Sequence, residues 1–376
     1  MKRILYVVNH AGFFVSHRLR VALAAKAAGY DVHVAAGADG KEAEIVAAGL
    51  QFHPWHVKRA SEAPLDEARA LASLDAVVRA LRPDLMHLVT MKGMLYGGAV
   101  ARARRVPATL FAISGLGYVF LREGPRAALF RRALLLSFRM VMRRRAAHSI
   151  FQNHDDRGVF DAAGCIYDAN AYTMIRGSGV DTDQFYETPL PEDVPMVVLP
   201  ARMLRDKGVV EFVAAARLLK ARGLKARFVL AGGTDVNPAS IPAETLRQWQ
   251  EEGVVEWWGH QSDMAAVLRS AYLVCLPSYR EGLPKALLEA AASGRPMVST
   301  DVPGCREVVQ HGKTGFLVPL KSTDELADAM QTLIADRELA AQMGMEARAS
   351  AVRDFALPAV IDKHLDVYQR LVSAKP

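Results

Sequence analysis

The sequence predicts an α/β protein of two doubly wound domains. Short apolar runs alternate with amphipathic helical stretches in both halves, the pattern of parallel strand–helix units. The 376 residues are enough for two domains of ordinary size. A proline-bearing stretch at 187–195, Glu-Thr-Pro-Leu-Pro-Glu-Asp-Val-Pro, reads as the linker between them. A ligand is then expected in the cleft between two such domains, outside the carboxyl ends of the strands.

In the first half, residues 4–8, 32–35, 85–89, 109–113 and 149–152 read as strands, with helices at 17–28, 66–81 and 95–104. In the second half the strands are expected at 196–200, 227–231, 254–257, 273–276 and 297–299. The helices there include 209–221, 265–270 and 326–335. The domains are placed at 1–187 and 188–357, with 358–376 as a last helix packing back toward the first domain.

With 51% hydrophobic and 23% charged residues, the composition is that of a well-packed globular chain. Met1-Lys2-Arg3 runs straight into residues 4–8, too short an apolar run for a secretory leader, and no run is long enough to span a bilayer. Cys165, Cys275 and Cys305 are far apart, without metal or disulfide spacing, so a reducing cytosol is expected. Residues 1–190 hold 25 Lys+Arg against 17 Asp+Glu, a net +8, whereas the remainder holds 22 against 23. The first half is therefore expected to meet an anionic partner.

Residues 281–289, Glu-Gly-Leu-Pro-Lys-Ala-Leu-Leu-Glu, carry the most chemistry. Pro284 suits a first helical position and Gly282 lets backbone pass close to a ligand. The N–H groups of that first turn favour an anion. Glu281 and Glu289 add hydrogen-bond acceptors, so a ligand with both phosphates and hydroxyls, such as a nucleotide sugar, is expected. Arg202 and Lys207, on the loop after residues 196–200, can neutralise a leaving diphosphate without a metal. A solvated basic loop is the plain alternative, and the Glu281 element weighs against it. Gly232-Gly233 ends the next strand and permits close approach to a nucleotide, or makes an ordinary turn. Trp257-Trp258 before Gly259-His260 reads either as a nucleobase platform, with Trp258 the stacking candidate, or as core.

These residues resemble the donor domain of the retaining glycosyltransferases of family four, which have the GT-B fold of two facing Rossmann-like domains. The match runs through Arg202 and Lys207, Gly232-Gly233, Glu281 with Glu289, and Thr300-Asp301-Val302-Pro303-Gly304 followed by Glu307. The resemblance implies that Arg202 and Lys207 bind the diphosphate of a nucleoside-diphosphate sugar. It implies that Glu281 contacts the sugar hydroxyls, that Glu289 contacts the ribose, and that Gly282, Leu283 and Pro284 lie against phosphates and sugar. It implies UDP as the donor nucleotide, retention at the anomeric carbon, and no cofactor or metal.

The first half is similar to a narrower group, bacterial enzymes that extend polyprenyl-diphosphate-linked glycans for O-antigen, capsule or glycoprotein oligosaccharides. The matching residues are Phe13 to Arg18, Lys92 with Tyr96-Gly97, and Gly115-Leu116-Gly117, together with Gly232 to Asp235 and Asn237-Pro238. His17, Arg18 and Lys92 are the implied acceptor-side residues. Ser114 stands where many of that group carry histidine, and the leaving diphosphate can itself take the acceptor's proton.

Between Arg126 and Arg145 lie seven arginines and no acid, interleaved with Leu129, Phe130, Leu134, Leu136, Phe138, Val141 and Met142. A basic amphipathic helix of this kind suits an anionic membrane surface, or packs on its own domain with its arginines in solvent. With a lipid-linked acceptor, a peripheral place on the inner face of the plasma membrane is expected. Two other readings keep some of these features. One is a nucleotide-sugar epimerase of the same architecture. The other is a basic nucleic-acid-binding module, for which only the high isoelectric point speaks.

Overall fold

The computed structural model describes residues 1–58, 63–117, 120, 123–168, 171–235 and 237–373. The chain forms two compact units, Met1–Ser178 with Val360–Pro376, and Gly179–Ala359.

The strands of the first unit are β1 (Arg3–Val8), β2 (Asp31–Ala36), β3 (Gln51–Pro54), β4 (Leu85–Val89), β5 (Ala108–Ile113), β6 (Ala147–Phe151) and β7 (Tyr172–Met174). They pair in parallel in the order β3-β2-β1-β4-β5-β6-β7. Its helices are α1 (Ala11–His17), α2 (Leu19–Ala27), α3 (Glu42–Ala47), α4 (Pro64–Leu81), α5 (Met91–Ala103), α6 (Pro125–Met142) and α7 (His154–Ala162).

The second unit carries β8 (Met196–Leu199), β9 (Arg227–Ala231), β10 (Glu256–Gly259), β11 (Leu273–Leu276), β12 (Met297–Thr300) and β13 (Gly315–Val318), ordered β10-β9-β8-β11-β12-β13 and again parallel. Its helices are α8 (Val209–Ala221), α9 (Ala243–Glu251), α10 (Met264–Ser270), α11 (Lys285–Ala292), α12 (Thr323–Ala335) and α13 (Arg337–Asp354). The last helix, α14 (Leu357–Ser373), buries Val367 and Tyr368 in the first unit's core.

The central strands are apolar on both faces because helices cover both. In β1, Ile4, Tyr6 and Val8 pack toward α2 and α14, while Leu5 and Val7 pack toward Leu74 and Val78 of α4. In the second unit Val197 and Leu199 face α8 and α12, and Leu276 of β11 faces α11. The edge strands β3, β7 and β13 lie outside the sequence expectations. They are short, three or four residues each, and β3 and β7 are at most half-buried and carry little apolar pattern, whereas β13 is apolar but only four residues long.

Three expectations are corrected. The segment 187–195 is not a free linker. Leu190 is buried in the second core, and Arg295 and Arg337 donate to the carbonyls of Thr188, Pro189, Leu190 and Pro191. The change of unit falls upstream, between Gly177 and Gly179, both at positive φ. The helix expected at 17–28 starts at Leu19, because the chain breaks at Arg18, φ −130° and ψ −16°, where the separate helix α1 has just ended at His17. The apolar residues of α6 do not make one side. Leu134, Phe138 and Met142, spaced by four, pack inward. Leu129, Leu136 and Met140 are 70%, 51% and 66% exposed on the opposite side, and Arg126, Arg132 and Arg139 are exposed with them.

Candidate active site

In the second sheet the strand order reverses between β8 and β11, and the loops leaving their carboxyl ends carry the residues singled out by sequence. In open α/β sheets this is where ligands bind. The loop after β8 makes a short 3₁₀ turn, Arg205–Lys207, and ends at Gly208 with φ +71°. A Cβ at Gly208 would come within 2.1 Å of the Pro277 carbonyl oxygen, so only glycine lets the two loops lie together.

That contact sets Lys207 beside Glu281. The ammonium Nζ is 2.5 Å from Glu281 Oε1, with the side chains 17% and 13% exposed. Ser278, fully buried, donates its hydroxyl to the same oxygen at 2.7 Å. Gly304, at φ +82°, supports the loop from below. A Cβ there would meet the Glu281 carbonyl at 2.6 Å, and Glu281 N donates to Pro303 O. Cys305 lies buried beneath, its thiol pushed up to about 12 by burial and by the Glu281 charge.

Gly282, Leu283 and Pro284 are buried, and Leu283 packs against Leu287 and Leu288. Pro284 is the cap rather than the first helical residue, φ −72° and ψ 114°, and its carbonyl accepts from Leu287 N and Leu288 N. Glu289 is 7% exposed, and Lys285 Nζ lies 3.2 Å from it, so the helix-surface pair exists with its carboxylate inside. Burial pushes the Glu289 carboxyl up, against the pull of Lys285.

Arg202 is 48% exposed and its Nη1 lies 2.5 Å from Asp235 Oδ2. Gly232 has a packing cause: a Cβ would sit 1.7 Å from the Ala201 carbonyl oxygen. Gly233 is more open, 3.6 Å from His260 Cβ. Trp258 is half-buried on the edge strand β10 among the residues of a small core patch. Its indole N–H donates to Glu256 Oε2 at 3.2 Å, and the Arg227 guanidinium stands 5.8 Å from the ring.

In the first unit, the His17 ring stacks on Phe13 at 4.2 Å, and its Nδ1 is 2.6 Å from Ser16 Oγ. Lys92 Nζ lies 2.6 Å from Glu67 Oε1 and donates to the Lys58 carbonyl at 3.0 Å. Arg18, expected beside them, is 2% exposed. It donates to the His17 carbonyl, and burial lowers its pKa while Tyr368 and Tyr6 oppose that shift. A side chain held this way braces the α1–α2 junction and does not reach a surface ligand.

Sequence reasoning passed over Ser278 and Tyr279, whose hydroxyl donates to Glu211 at 2.5 Å, and it named Asp235 within a motif without seeing its partner. Ser278 lies three residues before Glu281, whereas Asp235 and Tyr279 reach Arg202 and Glu211 through the fold. Among the described residues no three of His, Cys, Asp and Glu gather as a metal site, and no helix is long and apolar enough to cross a membrane.

Two family models match the chain: "Glycosyl transferase 4-like" over residues 3–149 and "Glycosyl transferases group 1" over 194–336. A Campylobacter jejuni N,N'-diacetylbacillosaminyl-diphospho-undecaprenol alpha-1,3-N-acetylgalactosaminyltransferase is 26% identical, covering 97% of this chain and 98% of its own. The putative glycosyltransferase EpsD of Bacillus subtilis is 25% identical over 98% and 96%. Among solved structures, Anabaena HepE in complex with UDP-glucose superposes with a TM-score of 0.78 at 18% identity, covering 98% of this chain and 100% of that one. Sucrose-phosphate synthase of Thermosynechococcus elongatus gives 0.80 at 19% over both full lengths. The shared architecture is GT-B.

Proposed function

We propose that this chain, a glycosyltransferase belonging to the group 1 glycosyl transferases, moves a hexose or N-acetylhexosamine from a UDP-sugar to a saccharide carried on a polyprenyl diphosphate. The observation that carries the donor side is the pairing of Lys207 with Glu281 where the second sheet reverses its order. A cation and a half-buried carboxylate held together suit a ligand whose diphosphate and sugar hydroxyls are neighbours. The acceptor rests on the Campylobacter jejuni relative, which matches along nearly its whole length. The HepE complex with UDP-glucose supports the choice of UDP.

In this reading Arg202 and Lys207 take the charge that develops on the leaving diphosphate. Such fixed donors lower the barrier because they need no reorganisation at the moment of reaction. Asp235 holds the Arg202 fork, and Ser278 orients Glu281 so that one carboxylate oxygen remains for a sugar hydroxyl. Glu289 holds the ribose, and Gly282, Leu283, Pro284 and Gly233 supply the close wall. Two cations do the work a divalent metal would otherwise do, and the new bond retains the donor's anomeric configuration. His17 and Lys92 serve the acceptor. The outward side of α6, apolar residues flanked by arginines, lies on the anionic inner leaflet. The epimerase and nucleic-acid readings are set aside, because both family models describe glycosyl transferases.

The test is a panel of UDP-sugars against polyprenyl-diphosphate sugars, read by mass spectrometry, with NMR of the new anomeric centre. Acceptor-dependent UDP release with a retained linkage is expected in metal-free buffer. An inverted linkage removes the retaining mechanism. Activity lost to a chelator and restored by a divalent ion removes the metal-free one.

A further inference from the structure

Neither Lys207 nor Glu281 sits in a long regular element. Lys207 ends the 3₁₀ turn Arg205–Lys207, closed by bonds from Lys207 N to Leu204 O and from Gly208 N to Arg205 O. Hydrogen-bond geometry in such turns is poorer than in an α-helix. Glu281 lies on the loop between β11 and α11. The spacing of the two side chains therefore depends on ties between the two loops. Tyr279 supplies two of them. Its N–H donates to Asp206 O at 2.9 Å, just before Lys207. Its hydroxyl donates at 2.5 Å to Oε1 of Glu211, in the first turn of α8 just after Lys207. One residue thus grips the turn on both sides of the lysine.

The surroundings of the hydroxyl make this tie stiff. Glu211 Oε2 is buried and has no hydrogen-bond partner among the described residues, and Asp206 Oδ1 is in the same state. Burial, the bond to Glu211 and the charges of Glu211 and Asp206 all raise the Tyr279 pKa, so the phenol keeps its proton and donates it. Lys321 Nζ, on the loop after β13, stands 5.2 Å from the ring centroid and holds the ring from its face. A buried acceptor left without its donor loses more than the bond itself gains, so Glu211 resists parting from Tyr279.

We propose that Tyr279 and Glu211 are positioning residues for the donor site, their hydrogen bond holding Lys207 against the diphosphate once the ligand has drawn it from Glu281. This rests on the glycosyl-transfer reading above. In the free protein the Lys207–Glu281 pair helps to set the spacing of the loops. With a diphosphate competing for the ammonium that pair weakens, and the Tyr279 tie keeps the turn in place. Both residues act through Lys207 and touch no substrate atom. A displacement of about 1 Å in such a group costs up to about 10²-fold in rate.

Tyr279→Phe in the full chain removes only the hydroxyl and keeps the ring beside Lys321. It is expected to lower kcat by about 10–10²-fold with a smaller change in KM for the UDP-sugar. By calorimetry it should narrow the gap between UDP and UMP affinity while UMP affinity holds. Glu211→Leu should do the same, and Glu211→Gln, which still offers an oxygen to the hydroxyl, should recover most of that loss. Added to Lys207→Met, Tyr279→Phe should cost little more, because both act through one ammonium. Amide hydrogen exchange at Lys207 and Gly208 should quicken in Tyr279→Phe, with or without nucleotide. If a stranded Glu211 unfolds the single variant, Tyr279→Phe with Glu211→Leu carries no stranded carboxylate and should show the same losses. Wild-type protein that binds no UDP refutes the donor reading, and the exchange measurement still decides the tie. A lowered Tm with wild-type kcat and UDP-to-UMP ratio, a loss that multiplies in full with Lys207→Met, or unchanged exchange overturns the proposal.

Discussion

Lys207→Met removes the ammonium that lies 2.5 Å from Glu281 Oε1 while keeping most of the side chain's length. Glu281 then keeps the Ser278 hydroxyl at 2.7 Å but loses its cation. Leaving a buried polar group short of a partner costs about 1–3 kcal/mol. Glu281 is 13% exposed and retains some water, which places it toward the lower figure. In a unit of this size that is a fall in Tm of roughly 2–10 °C. The catalytic loss is larger. Removing one preorganised donor from a site of developing charge costs about 2.7–4 kcal/mol, or 10²–10³ in kcat.

The double variant Lys207→Met with Glu281→Gln separates the two effects. It has neither charge, so its melting temperature should return to within a few degrees of wild type, while turnover stays low. The assay is thermal melting by circular dichroism alongside acceptor-dependent UDP release. If turnover recovers with stability in the double variant, Lys207 is only a counter-ion for Glu281 and the diphosphate role is refuted. A single variant with wild-type turnover refutes it equally.

Gly208→Ala should cost at least ~2 kcal/mol, because alanine at φ +71° is strained before its Cβ meets Pro277 O. Urea unfolding followed by tryptophan emission would show it. Arg18→Met should leave transfer intact and change Tm by only a few degrees, since an apolar side chain often replaces a buried charge without loss. Transfer abolished in a folded Arg18→Met protein would return Arg18 to the acceptor side. His148 is held down to about 4, chiefly by burial and then by Arg370, and His364 to about 3, chiefly by burial and then by Arg18. Both are neutral when folded and take protons when unfolded, so the first unit's stability is full above about pH 6.5 and falls as pH drops toward 4. Denaturant midpoints against pH should show that slope, and His148→Asn should flatten it. Glutamates at Leu136 and Met140 together should weaken flotation with anionic vesicles by roughly tenfold or more, given about 1.5–3 kcal/mol for each buried apolar side chain. Unchanged binding would remove α6 from the membrane.

The central strands and the loop around Glu281 were legible because their signals are local. A strand covered on both faces is mostly apolar, as β1 is after Arg3 and β11 is throughout, and a Gly-Leu-Pro turn between two glutamates needs no partner to be seen. Edge strands such as β7 have one neighbour and little to bury, so sequence leaves no mark of them. Helix α13 escaped for a related reason. It packs through small residues such as Gly344 and Ala347, which set no clear apolar stripe.

The amino-acid sequence by itself thus determined two parallel α/β units and a glycosyltransferase, and it singled out Arg202, Lys207, Glu281 and Glu289. Tertiary structure decided which of them touch. Lys207 and Glu281 are far apart in the chain and meet because Gly208 can lie against Pro277. It also took Arg18 out of reach of a ligand and turned Leu136 and Met140 outward. Each of these depends on a distance between separate loops or on which side of an element faces the core, and spacing along one chain does not encode either.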